Sequence, residues 1–143
     1  GDMLRLCMLL VLSCVWMTAC TGGEPPSGPT TISAADWSKV GETEIYVYYA
    51  DRGSIRKADE TVTMSDLFDY KTAQTEGDIS ALSRITVREY DCQNQKSQPV
   101  KTTWYANHMG SGAVGRTTGA IGKLTTSVSG TSTAALMKVA CGL

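Results

Sequence analysis

Residues 44–50, "EIYVYYA", mark the chain as β-rich. Ile45, Val47 and Tyr49 alternate with Tyr46 and Tyr48. A period of two in β-branched and aromatic residues is the pattern of a strand. Downstream, "ADRGSIRKADE" around Gly53 reads as a charged turn region. "TVTMSDLFDYK" then alternates Val62, Met64, Phe68 and Tyr70 with polar residues, and Asp66 interrupts the apolar face. "TAQTEGD" reads as a loop. "LSRITVREYDC" places Leu82, Arg84, Thr86, Arg88, Tyr90 and Cys92 on one side and Ile85, Val87 and Glu89 on the other. Both sides mix characters, so the strand is clear and its inward face is not. "PVKTTWYAN" alternates Val100, Trp104 and Ala106 with Lys101, Thr103 and Tyr105. Pro99 belongs at its start or on an edge, because it donates no ladder hydrogen bond. The short connections suit antiparallel pairing.

"STAALMKVACG" breaks the pattern. It holds helix formers, with Ser132 or Thr131 to cap its start and Gly142 to stop it. Ala135, Leu136, Val139 and Ala140 form one apolar stripe. So short a helix frays alone and needs a surface to dock on.

Upstream stands "VLSCVWMTACTGGEPPSGP". Gly1 and Asp2 precede the expected start at Met3, as a remnant or an upstream start. Arg5 is a short basic start, and the apolar run from Leu9 to Trp16 falls short of the roughly 20 residues of a membrane span. Small residues follow at Thr18 and Ala19, the layout of a secretory signal peptide. Met17-Thr18-Ala19-Cys20 resembles a bacterial lipobox, in which the cysteine thiol takes a diacylglycerol and becomes the mature N-terminus. An ordinary cleaved signal or a buried N-terminal helix is the alternative. Thr21 after Cys20 points to the outer membrane, because Asp is the residue that retains such proteins at the inner one. Two or more acyl chains anchor stably, whereas one does not. Residues 21–36 are rich in Gly, Pro, Ser and Thr and read as a tether, reaching on the order of 50 Å when extended.

Five cysteines occur in the chain. Cys7 and Cys14 leave with the signal and Cys20 carries lipid, so Cys92 and Cys141 remain as an even pair in an oxidising compartment. A bond between them closes a loop of nearly 50 residues, worth about 4 kcal/mol by chain entropy. It would bolt the helix to the strand that carries Cys92; two free buried thiols are the alternative. Two cysteines are too few for a structural zinc site, and no cofactor or metal is expected.

"EIYVYYADRGSI" (44–55), "EYDC" (89–92), "HMGSG" (108–112) and "KVAC" (138–141) occur in this order. In this the chain resembles the surface-adhesin protein E family of proteobacterial lipoproteins over roughly residues 37–141. The resemblance implies a multistranded antiparallel sheet with a C-terminal helix linked by a disulfide, with cysteines at Cys92 and Cys141. It also implies an outer-membrane lipoprotein binding host proteins such as vitronectin and laminin. Family members often carry a Trp/Pro segment between the glycine motif and the helix, where "TTGAIGKLTTSVSGTS" stands here.

Catalytic signals are weak. His108 is the only histidine, and an orienting carboxylate would have to come from Asp91 or earlier. "GSGAVG" (110–115) matches a dinucleotide loop formally, but no acid follows and a strand-like stretch does, so a glycine hairpin is expected. "GAIGKLT" (119–125) fails as a phosphate loop at Thr117 and Leu124. Asp66 and Asp69 are a conceivable acid pair, with a solvated strand face as the plainer reading.

Net charge is −1, yet it is unevenly spread: every Asp and Glu lies at or before Asp91. Lys96, Lys101, Arg116, Lys123 and Lys138 follow without an acid between them. A basic surface for an anionic partner is one outcome, and neutralisation by acidic neighbours within the sheet is the other. Aromatic residues are enriched in interface cores, so Lys96, Lys101, Arg116, Lys123, Trp104 and Tyr105 form the candidate ligand surface. Near-neutral charge argues against nucleic acid.

The expected fold is α+β and mostly β, a single antiparallel sheet of about five to six strands with a C-terminal helix tied on by a disulfide. The expected division is a lipoprotein signal peptide over 1–19, a lipid-anchored tether over 20–36 and a folded domain over 37–143. The expected function is non-catalytic: a surface adhesin for host matrix proteins, or else a periplasm-facing envelope lipoprotein that binds a bacterial partner. Exposed strand edges also allow a homodimer.

Overall fold

Strand β1 (Trp37–Glu42) opens a meander of long strands, β2 (Tyr46–Ala58), β3 (Thr61–Glu76), β4 (Ile79–Asp91) and β5 (Lys96–Tyr105). A short 3-10 turn (His108–Gly110), β6 (Val114–Thr118), the two-residue β7 (Thr125–Thr126) and helix α1 (Ser132–Cys141) complete it. The computed structural model describes residues 35–119, 124–126 and 130–143. Cys20, the leader, the tether as far as residue 34 and Lys123 lie outside the described residues.

The sheet order is β1-β2-β3-β4-β5-β6, so each strand pairs with its chain neighbour, and β7 pairs with the start of β5. All pairings are antiparallel. The sheet is thus one antiparallel layer of seven strands. β1 adds a strand that alternation did not mark.

Two expected breaks are bridged. β2 runs through Asp51-Arg52-Gly53, absorbing the turn-like residues in a register shift between Asp51 and Arg56. Asp51 and Ser54 satisfy the irregular backbone locally, with Gly53 N–H donating to Asp51 Oδ1 and Ser54 Oγ donating to Asp51 C=O. β3 likewise continues through "TAQTE", with its shift between Asp69 and Gln74. A bulge adds residues to one strand and bends it without ending the pairing.

The helix sets the inward face. α1 packs against β1, β2, β3 and β4. Leu136, Met137 and Ala140 are its buried residues, with Val139 partly buried, so the buried stripe takes Met137 rather than Ala135. They close a core with Ala50, Val62, Met64, Phe68, Tyr70 and Tyr90. On β2 it is therefore Tyr46, Tyr48 and Ala50 that turn toward the core, while Ile45 is exposed. Gly41 leaves room for this arrangement, because a Cβ there would collide with the Tyr48 ring.

The helix ends as its sequence predicts. The Thr131 side chain accepts a hydrogen bond from Ala134 N–H, and Gly142 takes the left-handed conformation with φ 72°. Cys141 in the last turn bonds Cys92 just past β4, with Cα atoms 5.8 Å apart. At the other end the hydroxyls of Tyr46 and Ser132 hydrogen-bond at 2.6 Å. The helix is held to the sheet at both ends.

Candidate functional site

Register places one residue from each of six strands in a single row across the helix-bearing face. Gly41 faces Tyr48, Tyr48 faces Phe68, Phe68 faces Arg84, Arg84 faces Trp104, and Trp104 faces Arg116. Beyond Tyr48 the row alternates aromatic rings with guanidinium groups. Arg84 places its guanidinium carbon 4.6 Å from the Phe68 ring centre and 5.2 Å from that of Trp104. A flat cation of this kind is attracted by the negative faces of both rings. Its Nε is buried without a hydrogen-bond partner among the described residues, so the rings carry much of its stabilisation.

Further rings extend the patch. Tyr46 stacks on Phe68 at 4.4 Å, and the ring planes of Tyr70 and Trp104 lie within 7° of each other at 6.1 Å. Where β3 and β4 run on as a long hairpin arm, Gln74, Thr75 and Ile79 join Tyr70, Trp104 and Arg116 around a hollow of about 140 Å³.

The next row toward the disulfide is polar. Ala50, Asp66, Thr86, Thr102 and Thr118 face one another in turn. Asp66 is fully buried, and Arg88 donates to it through Nε at 3.0 Å and more weakly through an Nη at 3.4 Å. Burial pushes the Asp66 carboxyl above its ordinary value, while Arg88 and Arg84 pull the other way. Thr86 and Thr102 hydrogen-bond through their hydroxyls at 3.1 Å. The interruption of the apolar face at Asp66 is thus a satisfied structural pair inside the core.

The opposite face carries the only histidine. The chain after β5 folds back over Leu67 and Ile85, and Gly110 there has φ 69°; a Cβ on it would come within 2.7 Å of Ile85 Cδ1. Asp69 Oδ1 takes the Met109 N–H at 2.9 Å and lies 3.0 Å from His108 Nδ1. Ser83 Oγ donates to Asn107 C=O and accepts from Gly110 N–H. The HMGSG segment is therefore a docked hairpin connection. β6 follows it where a dinucleotide loop would need a helix. Asp69 orients the imidazole, but the ring is half-exposed, and no described Ser, Thr or Cys side chain is hydrogen-bonded to it. Asp66 and Asp69 point to opposite faces and form no acid pair. No group of three or more His, Cys, Asp and Glu side chains able to hold a metal occurs among the described residues.

The candidate ligand residues divide between places. Trp104 and Arg116 meet in the row and line the hollow. Lys101 and Tyr105 pair with Val87 and Ser83 and lie on the opposite face. Lys96 sits at the far end of β5 beside Asp91. Tyr70, Arg84 and Gln74 belong to the aromatic end and escaped the sequence reading. Arg84 was visible as a cation on the same strand face as Tyr90, but only the register shows which rings flank it.

The comparisons with known proteins agree with this architecture. The family described as surface-adhesin protein E matches residues 37–142. Among solved structures, Haemophilus influenzae protein E in its crystal form II is similar with a TM-score of 0.60 at 16% identity, over 83% of this chain and 97% of that chain. Another structure of H. influenzae protein E gives 0.56 at 16% identity, over 81% and 91%. Protein E from non-typeable H. influenzae gives 0.50 at 19% identity, over 80% and 82%. At these identities the likeness is one of fold. No curated protein matches the chain. The family match spans the sheet, the helix and both bonded cysteines, and on it the chain belongs to the surface-adhesin protein E family.

Proposed function

We propose that this chain is a lipid-anchored surface adhesin that binds a host extracellular-matrix protein of the vitronectin or laminin kind. The observation that carries the binding surface is the row Phe68, Arg84, Trp104, Arg116. It runs across the helix-bearing face to β5 and β6, beyond the strands on which the helix chiefly packs. Trp, Tyr and Arg dominate the energetics of protein interfaces because they bury large area and bond with direction. Trp104 and Arg116 are the anchors of this surface. Lys101 and Tyr105 on the other face, Lys96 at the strand end and Lys123 are secondary. The domain acts by binding and not by catalysis; the half-exposed ring of His108 supports this.

The anchor is Cys20, with 1–19 removed as signal peptide and 20–36 as tether to the domain at 37–143, in the outer membrane. The Cys92–Cys141 bond supports an extracytoplasmic setting, since such bonds persist in oxidising compartments. Among the described residues no helix is long and apolar enough to cross a membrane. The sheet edges at β1 and at β6 with β7 are the surfaces for self-association, which light scattering of the purified chain tests.

Protease treatment of intact cells, followed by binding to immobilised vitronectin and laminin, tests the adhesin reading. Accessible protein, Cys20→Ser released from the membrane fraction, and weakened binding by Trp104→Ala and Arg116→Gln are expected. Protein shielded from protease on intact cells and cross-linked to a bacterial partner would overturn it in favour of a periplasm-facing role.

A further inference from the structure

Arg84 carries a charge that its neighbours do not balance. Where residues 62–68 of β3 pair with 84–90 of β4, the charged side chains on the helix-bearing face are Asp66, Arg84 and Arg88. One negative charge stands against two positive ones. Asp66 gives both its oxygens to Arg88, at 3.0 and 3.4 Å. Among the described residues no carboxylate forms an ion pair with Arg84.

The setting leaves one end of this cation for a partner. Phe68 on β3 and Trp104 on β5 flank the guanidinium carbon at 4.6 and 5.2 Å. Nε is buried and unpaired, while the residue as a whole keeps part of its surface open. With rings on both flanks and Nε sealed, the two Nη groups form the end that meets solvent. Such a pair of donors matches the two oxygens of a carboxylate. Surrounding rings thin out the water and strengthen a charge-assisted bond made there. Arginines in this kind of aromatic setting are frequent centres of interface energy.

The surroundings also select the kind of anion. Arg116, the other cation of the row, is already engaged. Lys101 lies on the opposite face and Lys96 at the far end of β5. Lys138 sits on the helix beside Tyr48. A sulfated glycan repeats its charges and calls for a run of free cations, which the described residues do not offer here. A single cation amid rings fits one carboxylate with an apolar flat neighbour, an Asp or Glu next to an aromatic residue.

We infer that Arg84 is the anion-recognising centre of this face and takes an Asp or Glu side chain of a protein partner, with an adjoining aromatic residue packed on Trp104. The inference rests on reading this face as the binding surface and names the chemistry of the segment it takes.

Nuclear magnetic resonance titration of the full chain with a blocked Phe-Glu-Phe peptide tests it. Phe-Gln-Phe and a sulfated heparin disaccharide serve as comparators. Saturable shifts of the Arg84 Nε–H and Trp104 indole signals are expected with Phe-Glu-Phe and should shrink with added salt. Arg84→Met, which loses the charge, and Arg84→Lys, which keeps the charge and loses the fork, are expected to weaken binding by about tenfold. Circular dichroism checks that both are folded, and if Arg84→Met is not, Arg84→Lys decides. No saturable shift with Phe-Glu-Phe, an equal response to Phe-Gln-Phe, tighter binding of the disaccharide, or parent-like binding by folded Arg84 variants would overturn the inference. If vitronectin or laminin binds in a Trp104-dependent way that Arg84→Lys leaves unchanged, the inference falls and the adhesin reading stands. If Phe-Glu-Phe binds through Arg84 and neither host protein binds, the reverse holds.

Discussion

Asp66 and Arg88 meet inside the core at 3.0 Å, on adjacent strands and beneath the helix-bearing face. Two buried charges are costly to desolvate, and removing one partner strands the other. Arg88→Met should therefore destabilise the domain by about 3–5 kcal/mol at neutral pH. A double replacement, Asp66→Leu with Arg88→Met, should recover most of the loss. The pH dependence has a definite sign. Burial already raises the Asp66 carboxyl. Without Arg88 it rises further, so the folded state holds the proton more tightly than the unfolded chain. The deficit of Arg88→Met should be largest at neutral pH and should shrink as pH falls toward the ordinary carboxylate range. Urea denaturation of parent and variant at several pH values checks this; a deficit independent of pH would count against a stranded carboxylate.

The Cys92–Cys141 bond closes a separation of 49 residues. Chain entropy assigns it about 4 kcal/mol. Cys92→Ser with Cys141→Ser should lower the urea midpoint accordingly. Circular dichroism should show helix signal lost before strand signal, because α1 then rests on its core contacts and on the Tyr46–Ser132 hydrogen bond.

Arg84 lies between two rings, with its guanidinium carbon 4.6 Å from the centre of Phe68 and 5.2 Å from that of Trp104. Arg84→Met, which keeps length and loses charge, should cost about 1 kcal/mol. Arg84→Lys should recover only part of this, since an ammonium cannot lie flat between Phe68 and Trp104. Equal stability of Arg84→Lys and the parent in thermal unfolding would show that charge alone matters there.

Gly110 combines φ 69° with close approach to Ile85. Gly110→Ala should cost on the order of 1–3 kcal/mol through local strain. Hydrogen exchange should accelerate at the Met109 and Gly110 amides, which bond Asp69 and Ser83. Asp69→Ala should accelerate exchange at Met109 more than at Gly110.

The long strands and the helix were legible because their patterns are local: alternation around Tyr46, and an apolar stripe through Leu136 between a cap at Thr131 and a stop at Gly142. Asp66 was legible as an interruption, but its partner was not, because pairing with Arg88 depends on strand register. Asp51-Arg52-Gly53 misled in the other direction. Turn chemistry there builds an irregular stretch within a continuing strand, and only the neighbouring β3 shows that pairing resumes at Arg56. The inward face of β4 stayed ambiguous since Arg84 and Arg88 occupy it with Tyr90; rings and a carboxylate make those cations acceptable inside. The aromatic end of the face draws on β2, β3, β4 and β5, so no single segment announces it.

The sheet order follows the chain order from β1 to β6. Each hairpin therefore closes a short loop before the next begins, and little entropy is spent bringing distant strands together. Pairing between chain neighbours keeps contact order below that of crossover topologies, which favours the folding rate. Pairing of β7 with β5 and docking of the helix are the steps that join remote stretches, so the polypeptide can zip β1 to β6 successively and leave the covalent lock until last.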